Sequence, residues 1–143
     1  MFKKLFVSTI CVLAMASVSI AKDGPFPMLQ SLGLWQTNDT TNLSVTITAG
    51  HSLNKGKSIQ VHISIRDSHG ELVAFGDTIH NLKNKRLEIN LVDYKGRQMT
   101  LTAKPVYKSD HGPLHRNYSL AIKVVYLNGE VPEDQFVLER SGQ

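Results

Sequence analysis

From Leu32 onward, hydrophobic and polar residues alternate with a period of two. Leu43, Val45 and Ile47 alternate with Ser44, Thr46 and Thr48. Ile59, Val61, Ile63 and Ile65 alternate with Ser58, Gln60, His62, Ser64 and Arg66. The same pattern runs through Leu87, Ile89 and Leu91, through Met99, Leu101 and Ala103, and through Tyr118, Leu120, Ile122, Val124 and Tyr126. Alternation of this kind predicts strands with one face buried and the other wet. Strands buried on both faces, as in a parallel sheet, would read as continuous apolar runs. No segment carries a helical period of comparable strength.

Turn chemistry separates the runs. Asp67-Ser68-His69-Gly70 joins the strand near 58–66 to one near 71–79, and Asp93-Tyr94-Lys95-Gly96 joins 85–92 to 97–107. Each opens on an Asp, whose carboxylate can hold the turn's amides, and closes on a Gly, which accepts positive φ. Asn128-Gly129 begins the connection from 117–127 to a last strand near 135–140. A short run at Gly33 to Gln36 makes eight strands, or seven if it is a loop. The parity also assigns Val73, Phe75, Ile79, Phe136 and Leu138 to the core. The fold class is therefore a single antiparallel all-β domain, either an immunoglobulin-like β-sandwich or a closed up-and-down barrel. The sandwich is the commoner class for exported domains of this size and is the architecture expected.

Two local resemblances bear on that choice. Gly33-Leu34-Trp35 followed by a strand resembles the G-x-W opening of calycin barrels, such as lipocalins and avidins. The stretch from Gln36 to Gly50 is similar to an avidin-type first hairpin. The resemblance implies a closed barrel and an Arg near the last strand stacked on the Trp, a role open to Arg140. Biotin sites of avidins use several Trp residues and this chain has one, so biotin binding is not expected. The run from Val61 to Val73 resembles instead a hairpin of immunoglobulin-like bacterial domains.

The first residues follow a different rule. Lys3 and Lys4 precede an apolar stretch from Leu5 to Val18, and Ser19-Ile20-Ala21 offers small residues before a cut. This reads as a cleavable signal peptide over 1–21, too short in its apolar part to span a bilayer. Residues 22–31 hold Pro25 and Pro27 and predict an extended arm, leaving 32–143 as the all-β domain. The expected location is the periplasm or the cell exterior, with no membrane span once the leader is gone. Of 143 residues, 16 are basic and 12 acidic. Two of the basic ones leave with the leader, so the mature chain carries a net charge too small to argue for nucleic acid or an anionic membrane as partner. The single cysteine, Cys11, lies in the leader, so the domain is cysteine-free and must be held by its core.

Candidate chemistry is sparse. Asp110, His111 and His115 place three ligand types within six residues, but Gly112-Pro113 between the imidazoles forbids helical spacing, and a solvated loop is expected. Neither a metal nor a cofactor is expected. His62 falls on the polar face and His69 in a turn. Asp77 shares the parity of Val73, Phe75 and Ile79, so it is either a buried carboxylate or is turned outward by a bulge at Gly76, the reading preferred here. Arg86, Val92, Lys104, Val106, Lys123 and Val125 share an outer parity and form a candidate strip for a partner. The sequence contains no G-x-S-x-G, no H-E-x-x-H and no phosphate-cradling Gly-rich loop. The expected function is therefore non-catalytic binding of another macromolecule, most simply a protein, as in inhibitors, assembly factors, immunity proteins or adhesins. The alternative is carriage of a small apolar ligand inside a barrel.

Overall fold

The structure is a computed structural model that describes residues 24–107, 118–129 and 131–140. Eight strands follow one another: β1 (Gly33–Thr37), β2 (Ser44–Leu53), β3 (Ser58–Arg66), β4 (Leu72–Asn81), β5 (Leu87–Asp93), β6 (Gln98–Tyr107), β7 (Tyr118–Tyr126) and β8 (Asp134–Arg140). Each pairs antiparallel with the next, and β8 returns to β1, so the sheet is a closed up-and-down barrel. Of the two architectures open to the sequence, the closed barrel is the one formed, rather than the sandwich that class frequency favoured. The deciding element is β1, five residues long, which pairs with β2 on one side and β8 on the other and leaves no edge.

An eight-stranded barrel is just wide enough for its own side chains to fill it. Here the inward positions are Val45 and Ile47, Val61, Ile63 and Ile65, Leu87, Ile89 and Leu91, Met99 and Leu101, and Leu120, Ile122 and Leu138, each at most 4% exposed. Burial of each such side chain contributes about 1.5–3 kcal/mol before chain entropy is set against it. The two Asp turns form as the residue types predict. Asp67 Oδ1 accepts the amides of His69 and Glu71 at 2.9 and 3.0 Å. Asp93 Oδ1 accepts those of Lys95 and Arg97 at 2.9 and 2.8 Å, while its Oδ2 meets Arg97 Nε at 2.7 Å. Burial raises the Asp93 carboxyl pKa, but the hydrogen bonds from Arg97 and Lys95 outweigh it and hold the pKa below its ordinary value.

The arm is part of the core. Phe26 and Met28 are each 2% exposed and plug the end of the barrel where β1 starts. Phe26 N–H donates to Asn84 O at 2.7 Å, tying the arm to the β4–β5 connection. A short 3-10 turn, Leu29–Ser31, then leads into β1. Trp35 Nε1 donates to Ser31 O at 2.8 Å, and Ser31 Oγ lies 2.8 Å from the Tyr118 hydroxyl. Arg140, directly opposite Trp35 in the ladder, stacks its guanidinium 4.4 Å from the indole centroid. It also donates to the carbonyls of Leu32 and Gln30. Gly33 has φ +122°, and a Cβ there would stand 3.5 Å from Arg140 Nη1. The pairing that the G-x-W resemblance implied is thus formed, and it locks the arm, β1 and β8 together.

One strand departs from its expected parity. In β4, Ala74 and His80 are buried, whereas Phe75 and Ile79 are 54% and 61% exposed. Phe75 and Ile79 are therefore outward, against the sequence expectation, and Val73 is half-buried against the core. The cause is a register shift between β3 and β4. Ile65 faces Ala74 while Arg66 faces Leu72, leaving Val73 as the extra residue of a bulge. One extra residue inverts every later side chain of the strand. The bulge thus sits at Val73 rather than at Gly76, and it does send Asp77 outward as preferred.

Candidate functional site

The inverted parity of β4 creates the most distinctive outer surface of the barrel. Its inward positions are small or polar: Ala74, Gly76, Thr78 and His80. Little room is available there. A Cβ on Gly76 would stand 2.1 Å from Asn90 O and 2.8 Å from Leu91 Cδ2, so β5 packs directly against it. The large apolar residues of β4 accordingly face solvent. Phe75 pairs across the ladder with Val92, itself 38% exposed, and Leu72 and Tyr94 nearby are 41% and 70% exposed.

Beside Phe75 lies a shallow open groove of about 280 Å³, lined by Thr46, Thr48, His62, Ser64, Phe75, Gly76 and Asp77. It runs over the outer faces of β2, β3 and β4, whose residues here are direct ladder partners: Thr48 with His62, and His62 with Asp77. His62 Nδ1 and Asp77 Oδ2 are 3.6 Å apart, with both side chains largely in water. Such a pair supplies polar contacts beside the apolar residues Phe75 and Val92. Among the described residues it lacks the enclosure and third partner that tune a general base.

The candidate strip does not converge. Arg86 lies before β5, Val92 on β5, Lys104 and Val106 on β6, and Lys123 and Val125 on β7. Val92 faces Gln98, Val125 faces Thr100 and Lys123 faces Thr102, so polar residues separate the apolar members. Val106 is half-buried, and Lys123 lies 3.7 Å from Glu133. Of the six, only Val92 joins the surface around Phe75. His69 is exposed in the β3–β4 turn. Asp110, His111 and His115 lie outside the described residues, and among the described residues no group of three His, Cys, Asp or Glu could hold a metal.

Sequence reasoning missed Phe75 and Ile79 as surface residues and His80 as a buried one. Their signal was the small-residue series Ala74, Gly76, Thr78, which alternates with the large apolar residues and reads as an inward face once the bulge is allowed. His80 is 2% exposed, packs edge-on against Phe26 at 5.9 Å, and its Nε2 has no hydrogen-bond partner among the described residues. Burial pushes its pKa below the ordinary imidazole value.

Among the described residues no helix is long and apolar enough to cross a membrane. No protein-family model matches the chain, and no curated protein or solved structure matches it either.

Proposed function

We propose that this is an exported, non-catalytic protein that binds another protein through the outer face of β3, β4 and β5. The observation that carries the reading is the outward placement of Phe75 and Ile79, 54% and 61% exposed, with Val92 across the ladder from Phe75. Large apolar residues on a rigid strand, next to polar groups able to fix orientation, are what a partner's surface buries at the centre of an interface. The side-chain-filled interior favours this reading over carriage of a small apolar ligand, which needs an enclosed cavity.

Native mass spectrometry of the protein taken gently from its own cell tests the reading. A complex with a second protein is expected, and it should disappear in Phe75→Asp and Ile79→Asp variants that melt like the parent. A complex indifferent to both substitutions, or a bound molecule of a few hundred daltons in place of a protein, would sink it.

A further inference from the structure

The near balance of basic and acidic residues conceals a segregation. In an up-and-down barrel successive connections alternate between the two ends. The β2–β3 connection, Asn54 to Lys57, carries Lys55 and Lys57, and the β4–β5 connection, Leu82 to Arg86, carries Lys83, Lys85 and Arg86. Neither contains an acidic residue, and all five basic side chains are exposed. The two connections abut: Leu82 N–H donates to Lys57 O at 2.9 Å, and a groove of about 290 Å³ runs between Lys57 and Lys83. Among the described residues Lys55, Lys57, Lys83 and Arg86 enter no ion pair.

The opposite end is acidic. Asp39 lies in the β1–β2 connection, Asp67 and Glu71 in β3–β4, and Glu133 and Asp134 lead into β8. Of the basic residues there, Arg97 is engaged by Asp93, Arg66 donates to Gly70 O, and Lys95 lies over the Tyr94 ring, while Lys123 pairs with Glu133. Ten-residue strands tilted in a barrel separate the ends by about 25 Å. That is two to three Debye lengths, roughly 8–10 Å each at physiological salt, so the acidic end does not cancel the field at the basic one.

We propose that the basic end of the barrel seats on an anionic lipid surface, with the barrel standing on its arm-plugged end. Charges carried on neighbouring loops at one end of a rigid body meet a plane together. The arm adds an apolar contact at this end, since Leu29 in the 3-10 turn is 62% exposed. A bilayer interface buries such a side chain, whereas a soluble acidic polymer does not. The surface is separate from the Phe75 face, so it stands or falls independently of the partner reading.

Vesicle co-sedimentation tests the proposal. The protein is recovered from expressing cells, its N-terminus is fixed by mass spectrometry, and it is mixed with vesicles of phosphatidylglycerol and phosphatidylcholine in equal parts. Binding is expected to these and not to pure phosphatidylcholine, and it should fall steeply with salt. Each lysine near an anionic surface is worth about fivefold, so the double reversal Lys57→Glu, Lys83→Glu should weaken binding by at least about 25-fold. Lys95→Glu, a single charge reversal at the other end, should leave it unaltered. Equal binding to pure phosphatidylcholine, indifference to the double reversal, or capture by soluble polyphosphate with the vesicles ignored would each overturn the proposal.

Discussion

Replacing Gly76 with alanine adds one methyl group where β4 and β5 come closest. Its Cβ would stand 2.1 Å from the backbone oxygen of Asn90, where ordinary contact needs about a further 1 Å. A backbone carbonyl in a barrel wall does not swing aside, so the strands must part. Overpacking of this kind costs about 1–3 kcal/mol. The β4–β5 ladder adjoining the clash is only two pairs long, Ala74 with Asp93 and Phe75 with Val92. Weakening its hydrogen bonds adds about 0.5–1.5 kcal/mol for each bond lost. The gain from a less flexible unfolded chain offsets less than about 1 kcal/mol. With two such bonds lost, the net loss is about 1–5 kcal/mol, or a fall in Tm of roughly 4–20 °C for a domain of this size. Gly50→Ala is the matched control. Its Cβ would stand 2.7 Å from Gln60 Oε1, the far end of a flexible side chain that can turn away, so its cost stays within about 1 kcal/mol. Thermal unfolding followed by circular dichroism compares the two. If Gly76→Ala melts within about 3 °C of Gly50→Ala, the close approach of β4 and β5 is wrong, and with it the lack of room on the inward side of β4.

Two further outcomes are expected. The buried His80 has its pKa lowered by burial, so below about pH 6.5 the unfolded chain binds a proton that the folded chain resists. Its stability contribution is complete above that value and declines as pH falls toward the folded pKa; urea midpoints between about pH 7.5 and about pH 5 should show this slope, and His80→Leu should flatten it. Arg140→Ala should cost about 2–4 kcal/mol by removing the stack on Trp35 and the donors to Gln30 and Leu32, and Arg140→Lys should recover less than half of that by urea unfolding. Full recovery by lysine would show that charge alone, rather than the planar fork, closes the barrel.

Period-two alternation and Asp…Gly turns placed seven strands close to where they lie, because both signals act through nearest neighbours. What escaped depended on pairing between strands. The Val73 bulge is not marked by Gly or Pro, and its inversion of Phe75 and Ile79 is set by how β3 and β4 align. Sandwich versus barrel turned on whether β1 finds β8, a contact between the first and last strands that no local window contains. The Trp35–Arg140 stack was foreseen only through resemblance, since spacing alone gives no reason for those two residues to meet. The candidate outer strip of apolar and basic residues rested on parity alone, and shared parity puts residues on one face but does not make them neighbours. The arm read only as extended because its two prolines dominate its pattern, while Phe26 and Met28 carry its packing.

The return of β8 to β1 also dictates when this chain can finish folding. Trp35 meets Arg140 across almost the whole length of the domain, and the arm's network needs both. Hairpins from β2 to β7 can form as they emerge, but the barrel cannot shut until the last strand is free. Closure is therefore a late, high-contact-order step, reached only after loop-closure entropy has been met. Until then the edges of β1 and β8 stay unpaired and the barrel end stays unplugged. A chain truncated before residue 134 should thus be not a shortened barrel but an open, adhesive sheet.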